Sequence, residues 1–175
     1  MILAFAGSNS SNSINFKLVK YTAGLVKDSE VQVLNMANYP FPMYSQDLEN
    51  EKGFSNSLME LRDDIKNSNG LILSVNEHNS NPSAYFKNLI DWLSRLDRDF
   101  LEGKKVLLMG ASPGGRGAAG SLGITEKLMS RFKAEVIAVF SLPSFSQNFE
   151  PTQGIINAEL GAKHQEALQQ FLSKI

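Results

Sequence analysis

Ile2-Leu3-Ala4-Phe5-Ala6-Gly7-Ser8-Asn9-Ser10-Ser11-Asn12-Ser13-Ile14-Asn15 is the stretch that decides the fold. Five apolar residues end at a glycine and give way to hydroxyls and amides. So short an apolar run suits a strand buried on both faces of a parallel sheet. The spacing that follows, Ile14, Leu18, Tyr21 and Leu25, is helical. The polar segment therefore joins a buried strand to a helix N-terminus, where unpaired N–H groups and the helix dipole favour an anion such as phosphate. The same residues also read as a solvated turn with Ser13 as N-cap. The segment lacks the three spaced glycines of a dinucleotide turn and the Gly-Lys-Ser/Thr ending of a P-loop, so a phosphate here meets Ser/Asn side chains and backbone rather than a lysine.

Working outward, Glu30-Val31-Gln32-Val33-Leu34 alternates as a half-exposed strand near a sheet edge, after a helix expected to end near Lys27-Asp28. Met36 to Lys52 is long and aperiodic, and its Tyr39-Pro40-Phe41-Pro42-Met43-Tyr44 either covers an apolar ligand or is a loop held down by its own aromatics. Phe54, Leu58, Leu61 and Ile65 mark a second helix, Leu71 to Val75 a central third strand, and Asn76 to Pro82 a second polar loop. Phe86, Leu89, Ile90 and Leu93 form a third helix with Ser83 as N-cap. Lys105 to Met109 is a fourth strand ending in Gly110-Ala111-Ser112-Pro113-Gly114-Gly115-Arg116-Gly117. A helix over 120–132, a fifth strand over 136–140 and a closing helix from Leu160 to Leu172 complete the chain.

Strands alternating with helices, with no repeat and no linker, predict an α/β fold: one domain over 1–175 with a doubly wound five-stranded parallel sheet and helices on both faces. In the strand order 2-1-3-4-5 the loops 7–15, 76–82 and 110–117 meet at the carboxyl ends of adjacent strands, where such sheets bind ligands.

Composition narrows the function. The chain has 175 residues, 20% of them charged, and a net charge of −1, which gives no electrostatic case for nucleic acid or an anionic membrane. The absence of cysteine excludes disulfides, thiolate metal sites and a cysteine nucleophile. No basic leader precedes the first strand and no run reaches spanning length, so a cytoplasmic protein is expected.

Three motifs in order on this scaffold resemble those of the NADPH-dependent FMN reductase family, a flavodoxin-like group that includes chromate, quinone and azo-dye reductases. The family's Gly-Ser-x-Arg-x-x-Ser-x-Asn is met by Gly7, Ser8, Ser13 and Asn15, with Ser10 in place of the arginine. Its Pro-Glu-Tyr-Asn-Gly-Ser followed by Leu-Lys-Asn-x-x-Asp-Trp is met by Glu77, Asn79, Lys87, Asn88, Asp91 and Trp92, with Asn76, His78, Ser80 and Asn81 as departures. Its Ser-Pro-Gly-Gly-x-Gly is present as 112–117. The resemblance covers about residues 2–142.

The resemblance implies an FMN-dependent NAD(P)H oxidoreductase. Electrons would pass in ping-pong fashion from NADPH or NADH to bound FMN, then to a quinone, azo dye, free flavin or similar small-molecule acceptor. No residue acts as a classical base, because the hydride chemistry belongs to the flavin. It implies Ser8, Ser10, Ser13, Ile14 and Asn15 at the phosphate, the last two through backbone N–H. Asn76, Glu77, His78 and Asn79 would line the ring edge, and Ser112 with Gly115 the ring or ribityl side. Arg116 either reaches the phosphates of a nicotinamide donor or points into water. His78, with only the distant His164 as a second histidine, is no metal ligand. Trp92 is a dimer contact or ordinary core, and a homodimer or homotetramer is expected. An electron-carrier flavodoxin and a flavin-binding module without activity are the competing readings, and the near-neutral charge argues against the carrier.

Overall fold

A computed structural model describes residues 1–175. Its centre is a five-stranded, all-parallel sheet of β1 (Ile2–Ala6), β2 (Val31–Leu34), β3 (Gly70–Val75), β6 (Lys105–Ala111) and β7 (Glu135–Leu142), in the order β2-β1-β3-β6-β7. This is the predicted order 2-1-3-4-5 of the principal strands. Two short antiparallel pairs stand outside it: β4 (Glu77–His78) with β5 (Asn81–Pro82), and β8 (Phe149–Glu150) with β9 (Gly154–Ile155).

The side-chain period of two splits β1 between both layers of the core. Leu3 and Phe5 face a cluster with α3 (Asn56–Asn67), α4 (Ala84–Leu96) and α5 (Ala119–Arg131), built on Leu58, Leu61, Phe86, Leu89 and Leu122. Ile2, Ala4 and Ala6 face α1 (Ile14–Leu25) and α7 (Ala158–Leu172) through Leu18, Val19, Leu168 and Phe171. Full burial on both faces explains why β1 and β3 are nearly continuous apolar runs.

Several local expectations change. The buried face of α1 is Asn15, Leu18, Val19, Thr22 and Ala23, so two polar residues belong to the core and Ile14, Tyr21 and Leu25 flank it. The helix stops at Leu25, where Val26 turns extended and its N–H returns to the Ala23 carbonyl, short of Lys27. The aperiodic stretch after β2 contains a 3-10 turn at Met36–Asn38 and the short α2 (Gln46–Lys52). Ser45 caps α2, with acidic Asp47 and Glu49 in its first turn and Lys52 in its last. A further turn of helix, α6 (Phe145–Asn148), follows β7.

The segment 39–44 is a strap held down by residues of α4. Asn88 Nδ2 and Trp92 Nε1 both donate to the Pro42 carbonyl, at 2.9 and 2.8 Å, and Tyr44 N–H donates to Asn88 Oδ1. Tyr85 O–H donates to the Tyr39 carbonyl, and the Tyr44 ring meets the Trp92 ring edge-on at 5.0 Å. Trp92 is 4% exposed beneath this strap, so it is core within one chain and not a dimer contact. Asn88 and Trp92 thus fasten the strap, and Lys87 with Asp91 is a surface pair one helical turn apart.

Candidate functional site

The loops after β1, β3 and β6 meet, and a small set of buried polar groups binds them to one another. Ser74, the one polar residue in the interior of β3, donates its hydroxyl to Asn15 Oδ1 at 2.8 Å. The same oxygen accepts the Ala111 N–H, and Asn15 Nδ2 donates to the Ala111 carbonyl. One buried amide therefore ties the start of α1 to the ends of β3 and β6. The Gly7 N–H donates to the Ser74 carbonyl, and the Ser83 hydroxyl donates to the Gly7 carbonyl while accepting from Phe86 N–H. Gly7 itself is fixed by packing, because a Cβ there would fall 2.6 Å from the Phe86 ring.

Over this frame the first loop turns on its own hydroxyls. Ser8 Oγ accepts from Ser10 N–H, Ser10 Oγ from Asn12 N–H, and Ser13 Oγ from Phe16 N–H. Each oxygen is oriented by a backbone N–H, and each hydroxyl keeps its own hydrogen free of any protein acceptor. The N–H groups of Ile14 and Asn15, at the first turn of α1, have no partner either. Five unpartnered donors thus belong to the loop and first turn at a positive helix end, with no cation among them.

The second loop is a tight hairpin. Asn79 and Ser80 both have positive φ, 53° and 62°, the conformation of a two-residue turn that favours Asn followed by Gly. The Ser80 at the glycine position hides that signal in the sequence. The hairpin docks on the N-terminus of α5, whose own N-cap residue, Ala118, offers no capping side chain. Glu77 supplies the cap from outside: its Oε2 accepts Ser121 N–H at 3.0 Å, and Ser121 Oγ donates to the Asn76 carbonyl. Contact is close enough that a Cβ on Gly120 would lie 2.6 Å from the Ser80 carbonyl oxygen.

At the hairpin's base Asn76 Nδ2 donates to His78 Nε2 at 3.3 Å, while Asn76 Oδ1 is buried with no hydrogen-bond partner. His78 is exposed and far from its only fellow histidine. His164 is 1% exposed in the core beneath α1, with Nε2 at 2.8 Å from Thr22 Oγ1 and its ring between Tyr21 and Phe140. Burial pushes its pKa from 6.5 down to about 4, so it is neutral at physiological pH.

In the third loop the Ser112 hydroxyl donates to the Gly114 carbonyl within its own turn. Gly114 and Gly115 have open space where a side chain would stand, whereas a Cβ on Gly117 would overlap Ser141 Oγ. Arg116 leans across to the hairpin, with Nη2 at 3.3 Å from Ser80 Oγ and 3.6 Å from Glu77 Oε1.

The sequence-predicted residues are therefore brought to one end of the sheet. Ser74, Ser83 and Ser121, which link the loops, were not among them. Ser74 has a legible signal, a hydroxyl inside an apolar strand; Ser83 reads only as a cap, and Ser121 gives no signal. The larger surface cavities lie elsewhere. One of about 440 Å³ runs between β7 and α7 and one of about 430 Å³ lies between α1 and the β8–β9 pair, while a smaller one of about 160 Å³ lies under the strap beside Trp92.

Residues 1–149 match the family model described as NADPH-dependent FMN reductase. A quinone reductase of Escherichia coli K12 is 37% identical over 78 residues, 45% of this chain and 42% of that protein. An NAD(P)H-dependent FMN reductase of Pseudomonas aeruginosa is 29% identical over 119 residues, 67% of this chain and 63% of that one. The matches thus span less than two thirds of these relatives' lengths. In fold, the flavoenzyme NAD(P)H:(acceptor) oxidoreductase FerB from Paracoccus denitrificans superimposes with a TM-score of 0.80 at 23% identity, over 99% of this chain and 95% of that one. The family match over 149 residues, on a sheet of this order with these three loops joined at one end, places the chain in the NADPH-dependent FMN reductase family.

Proposed function

We propose that this chain is an FMN-dependent oxidoreductase that takes electrons from NADPH or NADH and delivers them, in a second half-reaction, to a quinone, azo dye, free flavin or similar acceptor. The observation that carries this reading is the donor set of the first loop. The hydroxyls of Ser8, Ser10 and Ser13 and the N–H groups of Ile14 and Asn15 offer hydrogen and no competing acceptor. A phosphate dianion is the group such a set suits. The buried, unpartnered Oδ1 of Asn76 adds an acceptor at the end of β3, which a hydroxyl or ring N–H of the same ligand would satisfy.

These residues fit FMN, which when bound supplies the hydride and electron chemistry. The chain's part is to hold and orient. Ser8, Ser10, Ser13, Ile14 and Asn15 grip the phosphate, and the side chain of Asn15 keeps the grip in register with β3 and β6. Asn76, His78 and Asn79 border the ring, with Glu77 holding the hairpin in place through α5. Ser112 and Gly115 leave the glycine turn bare enough for a flat ligand to approach. Family resemblance and the quinone reductase and FMN reductase names of its relatives support the same activity.

Anaerobic stopped-flow mixing of the FMN-loaded protein with NADPH and with NADH tests this. Direct bleaching of the flavin is the expected result, with recovery on adding a quinone. Bleaching only through a separate reductase would instead make the protein an electron carrier, and failure to hold flavin would remove the redox reading. Ser10→Arg, which restores the family's guanidinium beside the phosphate donors, should tighten FMN several-fold in a fluorescence titration; looser binding would contradict the placement of Ser10.

A further inference from the structure

We propose that Arg116, seated on the hydroxyl of Ser80, recognises the phosphates of the pyridine nucleotide donor; this rests on the oxidoreductase reading above and adds the donor's anchoring point to it. Arg116 is the only lysine or arginine in the segments 7–15, 76–82 and 110–118. It bridges two of them, yet its side chain is 77% exposed, so most of the five N–H donors of its guanidinium face water.

The pairing with Glu77 is one the carboxylate does not need. Glu77 Oε2 already accepts from Ser121 N–H at the positive end of α5, which stabilises the charge without Arg116. The contact at 3.6 Å is also longer than a charge-assisted hydrogen bond. Arg116 can therefore exchange Glu77 for a ligand anion while the hairpin stays docked.

Its surroundings leave space for that ligand. Gly114 and Gly115, immediately before it, face open space, and the far side of the turn is pinned by the Ser141 hydroxyl on the Gly117 carbonyl. Ser80 keeps a positive φ that glycine would adopt without strain, and its hydroxyl is what meets the guanidinium.

Charge identifies the partner. With the flavin phosphate on the first loop, where no cation is needed, the dinucleotide is the one remaining reactant that carries phosphate whichever acceptor is used, since of the free flavins riboflavin has none. Quinones and azo dyes carry no obligatory anion. The bridging pyrophosphate is common to NADH and NADPH, and the 2′-phosphate belongs to NADPH alone.

The test is reduction of the FMN-loaded protein under anaerobic conditions by NADPH, by NADH and by the phosphate-free donor 1-benzyl-1,4-dihydronicotinamide. For Arg116→Gln, the half-saturating concentration of the dinucleotides should rise about ten-fold. Selectivity for them over the benzyl donor should fall by the same factor. Arg116→Lys should recover part of the loss, and Ser80→Gly should show a smaller one. A rise for both dinucleotides assigns the pyrophosphate, and a rise confined to NADPH assigns the 2′-phosphate. Equal slowing with all three donors, or no change with any, overturns the proposal while leaving the oxidoreductase reading intact. A wild-type protein that no dihydronicotinamide bleaches overturns both.

Discussion

The loop after β1 and the corner made by the β4–β5 hairpin and the glycine turn are both polar, and both stand at the carboxyl end of the sheet. They use that polarity in opposite ways. In the first, hydroxyls are aimed by neighbouring N–H groups and their hydrogens stay available. In the second, polar groups are occupied by one another: Glu77 with α5, Ser121 with Asn76, Ser112 with its own turn. The second corner also concentrates left-handed backbone, at Asn79, Ser80, Gly117, Ala118 and Ser144. One side of the site is a set of donors and the other is a shape, so substitutions should harm the first by losing hydrogen bonds and the second by crowding or strain.

The largest effect lies beneath the first loop. The Thr22–His164 contact joins the helix that carries that loop to α7. His164 is lowered from 6.5 to about 4 by burial, so the unfolded chain takes up its proton more readily than the folded one. Stability is complete above pH 6.5 and falls as pH drops from there towards 4, by about 3 kcal/mol at 1.36 kcal/mol per unit. Denaturant titrations across that window should show the decline, and His164→Asn should flatten it. An unchanged slope in the variant would place the titrating group elsewhere.

At the shaped corner, Gly120→Ala drives a Cβ onto the Ser80 carbonyl. Crowding of about 1–3 kcal/mol should outweigh the gain in helix propensity of about 1 kcal/mol. Gly115→Ala, where nothing stands within 4 Å, should be nearly neutral. Equal effects for the two alanines in thermal unfolding would erase the distinction between crowded and open glycines in this corner.

The two serines that stand for the two regions should respond with opposite signs. Ser13→Ala removes the N-cap of α1 and should cost about 1 kcal/mol. Ser80→Gly relieves the left-handed strain and should gain about 0.5 kcal/mol, reduced by the lost contact to Arg116. Chemical denaturation resolves the difference, and destabilisation by both would mean that Ser80 is held by more than the turn.

What the sequence made legible follows the range of the interactions. Strand positions came from period and alternation, which are local, their order from the flavodoxin-like pattern the three loops resemble, and the cap of α4 at Ser83 from a single residue type. The short α2 escaped although Ser45, Asp47, Glu49 and Lys52 carry its end signals, because seven residues show no apolar stripe. The hairpin escaped because Ser80 replaces the glycine that announces such a turn. The bracket role of Asn15 could not be read at all: Ala111 lies 96 positions away, and an amide beside a helix start looks the same whether it faces a ligand or the core.

Whether the first loop holds a phosphate is decided by titrating the protein with FMN and with riboflavin, which differ by that phosphate alone. FMN should bind at least about 100-fold more tightly, on the order of 3 kcal/mol from several charge-assisted hydrogen bonds. Ser13→Ala should weaken FMN and leave riboflavin unchanged. Equal affinities for the two flavins would mean that the loop does not hold the phosphate.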